Sequence, residues 1–335
     1  MFMPNREIQY SIALNEALIQ LMTADSNVLL IGQGVKSPWY VGNTCKDLVR
    51  LFGEKRVIDT PVSENAMTGV AVGAAIAGMK AVVVHPRADF AFYAFDPIIN
   101  QAANWHYMNG GRSSAPVVFW LIINRGGEQA AQHSQAIQAM LAHVPGLKVI
   151  APSTAYDVKG LLIAAVKDPG PVVFIDDRWL YSNQCDVVPE EMYEVEIGKA
   201  AIQHQGNDVT MVSYSWTAFE CRRAVNELSR CGIGVELIDL RSLKPMDDEL
   251  VYQSVLKTRR LIVVDGTWKS FGISAEILSR IIERFGTTTT IPMLRINLPD
   301  APAPASSVLE KQYYITVEMI IERTKEFINK THHGT

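Results

Sequence analysis

Short, continuous apolar runs recur through the first half of the sequence, and they restrict the fold more than any other feature. Ala81–His85, Ala115–Ile123 and Pro171–Ile175 are each long enough for one strand and are almost entirely apolar. The segments between them, such as Thr68–Met79 and Asp96–Met108, have helical patterns. Strands that are apolar on both faces and alternate with helices are typical of a parallel sheet covered on both sides. The sequence therefore predicts a doubly wound α/β fold.

The alternation of strands and helices occurs twice, which predicts two doubly wound domains. A chain of 335 residues is long enough for two full cores, at roughly 100–200 residues per domain. A polar, acidic stretch separates the two alternating regions. We place the first domain at residues 1–185, a linker at 186–200, and a second domain at 201–330.

Charge and hydropathy argue against two classes of protein. The net charge of −4 leaves no basic surplus to bind the phosphate backbone of nucleic acid. The most apolar stretch, residues 68–85, contains Lys80 and three glycines, which argues against a membrane span. The first residues show no apolar signal core, and Glu7 argues against a transit peptide. We expect a cytoplasmic protein with neither a nucleic-acid nor a membrane partner.

General motifs do not assign a function. The sequence has no G-x-G-x-x-G in the context of a dinucleotide site, no Walker lysine loop and no G-x-S-x-G nucleophile elbow. Parallel sheets bind ligands at the carboxyl ends of their strands, so we expect the site in loops 32–38, 85–90 and 123–132.

Longer motifs follow one another along nearly the whole chain. They are Asp59–Glu64 (DTPVSE), Gly69–Gly78 (GVAVGAAIAG), Asp96–Ala103 (DPIINQAA), Ala131–Gln135 (AQHSQ), Pro145–Pro152 (PGLKVIAP), Asp239–Pro245 (DLRSLKP) and Phe271–Glu276 (FGISAE). Together they resemble the β subunit of the thiamine-diphosphate-dependent 2-oxo acid dehydrogenase first component, of the pyruvate and branched-chain type. The resemblance implies a transketolase-like pyrimidine-binding domain followed by a domain like the transketolase C-terminal domain.

The resemblance also implies an active site. Glu64 would hydrogen-bond N1′ of the cofactor's aminopyrimidine and favour its imino tautomer, while Phe90 would stack on that ring. Gln33 would also contact the cofactor, and His133 would lie near the reacting carbons and the lipoyl group. Simpler interpretations stay open: Glu64 as an acid stabilised by a helix dipole, Phe90 as a core residue and His133 as a polar residue opening a helix. His85, at a strand end, is more often structural in such a position.

Two metals are implied in the same way. Magnesium would be held with the cofactor's diphosphate by a partner chain. A structural potassium ion would be bound mainly by backbone carbonyls of Val117, Ala165, Val166, Asp168 and Gly170. Carbonyl ligands leave little trace in the side chains, and an ordinary helix end with a turn at 168–170 is the alternative.

The expected function is decarboxylation of a 2-oxo acid and transfer of the acyl group to a lipoyl acceptor. The expected partners are an α-type subunit in an α2β2 assembly, a lipoyl acyltransferase core and a small 2-oxo acid. The alternatives are a two-chain transketolase-like enzyme that moves two-carbon units, and a non-catalytic subunit.

Three departures from the family pattern bear on that choice. Gln33 replaces an acid that usually follows the first strand, and Trp120 replaces an arginine. The sequence also ends in Thr331–Thr335, beyond the point where family members usually stop. These departures leave the substrate and the membership of a large complex open, but they do not touch Glu64.

Overall fold

The computed structural model describes residues 6–286 and 290–332, and it divides into two compact units. The first comprises Met1–Arg125 and Gln132–Ile197, and the second comprises Gly126–Ala131 and Gly198–Thr335. The expectations that depend on the first five and last three residues concern parts of the chain outside the described residues. Within residues 6–286 and 290–332, no helix is long and apolar enough to cross a bilayer.

The first unit alternates strands with helices, as predicted. Its strands are β1 (Glu7–Gln9), β2 (Val28–Gly32), β3 (Val57–Asp59), β4 (Lys80–His85), β5 (Val117–Ile123), β6 (Lys148–Ile150), β7 (Val172–Asp177) and β8 (Cys185–Val187). Its helices are α1 (Tyr10–Ala24), α2 (Leu48–Phe52), α3 (Glu64–Ile76), α4 (Asn104–Met108), α5 (Gln138–His143), α6 (Ala155–Lys167) and α7 (Leu180–Asn183). A 3₁₀ helix at Ala88–Ala94 and a π-helical segment at Asp96–Ala103 precede α4.

Six strands of this unit pair in the order β6-β7-β5-β4-β2-β3, and every pair is parallel. The central strand β5 is buried at all seven positions, which explains its unbroken apolar sequence. Gly32 of β2 stands opposite Asp59 of β3 and Val84 of β4, so these three strands end level with one another. The loops that follow them therefore leave the sheet at one edge.

Part of the segment predicted as a linker packs against the first unit. Strand β8 pairs antiparallel with β1. The buried ammonium of Lys159 donates to the carbonyls of Pro189, Glu190 and Glu191, and it forms an ion pair with Glu16. Residues 189–191 are thus held by several charge-assisted hydrogen bonds.

The second unit has a five-stranded sheet in the order β14-β13-β10-β11-β9, in which only the pair β9–β11 is antiparallel among the described pairings. Its strands are β9 (Ala201–His204), β10 (Val209–Ser213), β11 (Val235–Asp239), β12 (Ser242–Lys244), β13 (Leu261–Trp268) and β14 (Met293–Leu298). Its helices are α8 (Ser215–Arg230), α9 (Asp248–Thr258), α10 (Ile273–Phe285), α11 (Ser307–Tyr313) and α12 (Val317–His332).

Candidate functional site

Glu64 is the first residue of α3, at the end of the loop that follows β3. Because Glu64 opens the helix, its carboxylate lies at the positive end of the helix dipole, which stabilises a negative charge. The side chain of the preceding Ser63 makes no capping hydrogen bond. The side chain is half-exposed, and no hydrogen bond or ion pair joins it to another residue in the described parts of the chain. Its carboxylate is therefore available to a ligand.

Phe90 and His133 meet although they are far apart in the sequence. Phe90 lies on the 3₁₀ helix after β4, and its ring stands edge-on to the His133 ring with centroids 5.5 Å apart. Both side chains are half-buried. The structure thus brings together an aromatic ring and an imidazole that the sequence assigned to one site.

Asp89 belongs to the same cluster, and the sequence analysis missed it. Its side chain is buried, and its Oδ1 accepts a hydrogen bond from the backbone N–H of Gln135 at 3.0 Å. Burial raises the pKa of Asp89, while attraction to His133 acts in the opposite direction on that pKa. The signal available in the sequence was an acid directly before Phe90 in the loop after an apolar strand.

Gln33 lies at the carboxyl end of β2, the strand next to β4. Its Nε2 donates a hydrogen bond to the hydroxyl of Tyr40 at 3.1 Å. The Asp59 carboxylate accepts from the backbone N–H of Gly34 at 2.7 Å, which ties this loop to the end of β3. Gln33 and the loop leading to Glu64 therefore occur at the same edge of the sheet.

His85 is a structural residue. It is the last residue of β4, fully buried, and its Nε2 lies 3.0 Å from the Thr68 hydroxyl on α3. Burial lowers the pKa of His85 to about 3, so the ring is neutral at physiological pH. The ring joins α3 to the sheet below Glu64.

Two family models match the chain: "Transketolase, pyrimidine binding domain" at residues 6–184 and "Transketolase, C-terminal domain" at residues 198–320. The β subunit of Bacillus subtilis acetoin:2,6-dichlorophenolindophenol oxidoreductase is 37% identical over 97% of this chain and 98% of its own length. The pyruvate dehydrogenase E1 β subunit of Rickettsia felis is 38% identical over 94% and 96%, respectively. The human mitochondrial counterpart is 36% identical over 95% and 89%.

The chain belongs to this transketolase-type family of β subunits. A solved structure titled "Split gene transketolase, inactive beta4 tetramer" has the same fold, with a TM-score of 0.74 at 20% identity over 96% of this chain and 98% of that one. The predicted family and the predicted two-domain α/β fold are confirmed.

Within this family fold, Trp120 is part of the core and does not reach a substrate loop. The residue is fully buried in the middle of β5, and its Nε1 donates to Asp176 Oδ2 at 2.8 Å. The Tyr181 hydroxyl donates to the same oxygen at 2.5 Å. Burial raises the pKa of Asp176 to about 7. Trp120 therefore holds a buried carboxyl group in place.

The positions suggested for potassium lie at the amino ends of β5 and β7 and at the end of α6. Val117 begins β5, Ala165 lies in the last turn of α6, and Asp168 ends that helix, while Gly170 precedes β7, the neighbour of β5. The Asp168 carboxylate accepts from the Gly170 N–H and forms an ion pair with Lys148. A cation here would rely on carbonyl oxygens, because the carboxylate is already engaged.

The fifth position, Val166, is buried in the same last turn of α6. Within residues 6–286 and 290–332, no group of three or more His, Cys, Asp or Glu side chains is arranged to hold a metal ion.

Proposed function

We propose that the chain is the β subunit of a thiamine-diphosphate-dependent 2-oxo acid dehydrogenase that passes an acyl group to a lipoyl acceptor. The curated relatives support the class of enzyme, since they include pyruvate dehydrogenase E1 β subunits from a bacterium and from animals. The observation that carries the proposal is Glu64, a carboxylate at a helix start that is half-exposed and without a described partner. Such a group can share a proton with a ring nitrogen of a ligand.

The side chains around this edge fit the aminopyrimidine of thiamine diphosphate. Glu64 would hold the ring through N1′, and the half-exposed face of Phe90 would lie against it. Gln33 would bind through its amide and cannot relay a proton as an acid would. Thiamine diphosphate, when bound, supplies the electron sink for decarboxylation, while the protein sets orientation and proton sharing.

His133 is proposed as the proton donor during acyl transfer. Its ring is fixed against Phe90, and the buried Asp89 attracts a positive charge on the imidazole. An imidazole has two ring nitrogens that can each carry a proton, so it suits proton transfer to an acceptor. His133 would therefore hold a proton ready for the acceptor sulfur.

We further propose an α-type partner in an α2β2 assembly, which would bring the diphosphate and the magnesium ion. Apolar side chains near Glu64 support a partner surface: Val62 is 69% exposed and Val70 61%. Tyr107, in α4 of the same unit, is 88% exposed. Docking to a lipoyl acyltransferase core and structural binding of potassium by carbonyls at 117, 165, 166, 168 and 170 belong to the same proposal.

The named relatives leave two kinds of substrate, since one acts with acetoin according to its name and the others with pyruvate. Acetoin is a neutral hydroxyketone, whereas pyruvate is an anion. The test is reconstitution of the chain with its α-type partner, thiamine diphosphate and magnesium, followed by assays with 2-oxo acids and acetoin using a dye acceptor. Sugar phosphates with aldehyde acceptors test the transketolase-like alternative.

We expect turnover of a 2-oxo acid that requires both chains. Turnover by the purified chain without its partner would contradict the assignment as a β subunit. In the reconstituted enzyme, His133→Ala should depress acylation of a lipoyl domain far more than dye reduction. Equal loss in both assays, together with activity toward sugar phosphates, would favour the transketolase-like alternative.

A further inference from the structure

Three polar residues follow three adjacent strands of the first sheet. Arg87 comes after β4, Asn124 after β5 and Arg178 after β7. These strands are neighbours in the order β7-β5-β4 and run parallel, so the three residues leave the sheet at the same carboxyl edge. Ligands of parallel α/β sheets bind at this edge.

Hydrogen bonds fix the three side chains relative to one another. The Pro86 carbonyl accepts from Arg87 Nη1 at 2.8 Å and from Asn124 Nδ2 at 3.1 Å. The Asn124 Oδ1 in turn accepts from Arg178 Nη1 at 3.4 Å. Asn124 therefore connects the two guanidinium groups, and both arginines are half-buried. The positions of the three side chains are therefore set by contacts within the protein.

The two arginines repel each other. Burial lowers the pKa of Arg87, and the neighbouring Arg178 lowers that pKa further, while Tyr40 and Asp89 act in the opposite direction. Two like charges held close together in a partly buried place repel each other more strongly than they would in water. A bound anion between them would offset this repulsion.

The two carboxylates at the end of β7, next to Arg178, are already engaged. Asp177 is paired with Arg125, with the oxygen and nitrogen 2.5 Å apart. Asp176 accepts hydrogen bonds from Trp120 and Tyr181. Among these side chains, Asp89 is the carboxylate that acts on Arg87, while Asp176 and Asp177 are held by other donors. Two guanidinium groups beside one such carboxylate favour a small anion.

We propose that Arg87 and Arg178, positioned by Asn124, bind the carboxylate of a small monoanionic substrate. The inference rests on the proposed function and makes it more specific, because it selects an anionic 2-oxo acid over a neutral hydroxyketone such as acetoin. Guanidinium groups form paired, charge-assisted hydrogen bonds with carboxylates, which gives both affinity and orientation. Phe90 follows Arg87 by three residues, so the anion would be held near the proposed aminopyrimidine contact.

The first test uses the full chain alone, with ligand-observed NMR titrations of pyruvate, acetoin and inorganic phosphate at low ionic strength. Pyruvate should bind more tightly than either of the others. Arg178→Gln and Arg87→Gln should each weaken pyruvate binding about tenfold, the order expected for one lost charge-assisted contact. Arg112→Gln, which removes an exposed arginine of the same unit, is the matched control and should change nothing. Circular dichroism establishes that each variant is folded.

Phosphate binding as tight as that of pyruvate would overturn the assignment to a carboxylate. Pyruvate binding that survives both substitutions in folded variants would overturn the site itself. If both substitutions left pyruvate binding intact while acetoin bound equally well, the preference for an anion would also be wrong.

The second test separates this inference from the proposed function. In the reconstituted complex, Arg178→Gln should raise the KM for the 2-oxo acid about tenfold and leave kcat nearly unchanged, because it removes binding that does not depend on the transition state. A loss confined to kcat would overturn the inference and leave the proposed function standing. The opposite result is also possible: pyruvate binding by the chain depends on the arginines, but the complex turns over only acetoin or sugar phosphates. That result would overturn the proposed function and leave the inference standing.

Discussion

The carboxyl edges of the two parallel sheets differ in how their polar groups are satisfied. In the second unit, the buried Asp265 of β13 accepts a hydrogen bond from the Tyr214 hydroxyl at 2.5 Å. It also accepts from the Thr267 hydroxyl at 2.8 Å and from the Ser274 backbone N–H at 2.9 Å. Both carboxylate oxygens thus have donors from within the unit.

The corresponding edge of the first unit leaves polar groups unmatched. Glu64 has no hydrogen bond or ion pair among the described residues. One carboxylate oxygen of Asp89, the Nδ1 of His85 and the hydroxyl of Ser134 are buried without a hydrogen-bond partner in the same described set. Buried polar groups are normally satisfied, and exceptions concentrate where a ligand or a reaction needs them. The comparison teaches that the donors around Asp265 stabilise the fold of the second unit, whereas Glu64 and Asp89 of the first unit keep carboxylate oxygens available to a ligand.

The substitution Glu64→Gln should have the largest effect, because it removes the acid from the unmatched edge. An amide cannot share a proton with a ring nitrogen, so turnover by the reconstituted enzyme should fall about 10²–10⁴-fold. The free energy of unfolding should hardly change, since the carboxylate makes no described contact within the chain. Steady-state kinetics and urea unfolding measure the two quantities.

The exposed Glu322 of α12 offers the matched control, because Glu322→Gln makes the same chemical change on the second unit. It should leave turnover unchanged. A loss of less than about tenfold for Glu64→Gln would show that Glu64 is only a helix-start acid.

The substitution Asp265→Ala should have the opposite pattern. It removes the acceptor of hydrogen bonds donated by Tyr214, Thr267 and Ser274 inside the second unit. Because each lost buried hydrogen bond costs about 1–3 kcal/mol, the free energy of unfolding should drop by about 3 kcal/mol or more. Turnover per folded complex should stay within about twofold of the unsubstituted enzyme. Unchanged stability would show that Asp265 does not stabilise the second unit. A selective loss of turnover would show that this edge also serves the reaction.

The sequence predicted most of the strands and helices of the first unit, because local patterns of apolar residues determine them. The apolar runs that predict strands at 81–85, 115–123 and 171–175 correspond closely to β4, β5 and β7. The predicted helix at 68–79 begins earlier, at Glu64, because the polar first turn carries no apolar periodicity. Because α3 begins at Glu64, the Glu64 carboxylate lies at the positive end of the helix dipole.

Contacts between distant residues could not be predicted. Nothing in the local sequence links Arg87 with Arg178, because their approach depends on the strand order β7-β5-β4. The same holds for the contact of His133 with Phe90, which the family resemblance implied only as membership of one site. The predicted strand at 115–123 already contained Trp120, but the hydrogen bond of its indole to the buried Asp176 depends on the neighbouring strand β7 and could not be predicted.

The smallest effect is expected for Asp176, which lies between the two extremes. Its Oδ2 is satisfied by Trp120 and Tyr181, whereas its Oδ1 is buried without a partner among the described residues. Burial raises the pKa of this carboxyl to about 7, well above the value of 3.8 that an aspartic acid has in the unfolded chain. The folded protein therefore binds a proton more tightly than the unfolded chain does between these two values.

It follows that Asp176 contributes most to stability below about pH 4, and that this contribution is lost as pH rises through about 7. Asp176→Asn imitates the protonated form and cannot ionise, so its unfolding free energy should gain up to about 3 kcal/mol relative to the unsubstituted chain as pH rises across this window. One unit of pKa corresponds to about 1.4 kcal/mol. Urea unfolding of both proteins at pH 4.5 to 8 gives the difference, in which the other titrating groups largely cancel. A difference that does not vary with pH would mean that Asp176 is already ionised in the folded state, stabilised there by Trp120 and Tyr181.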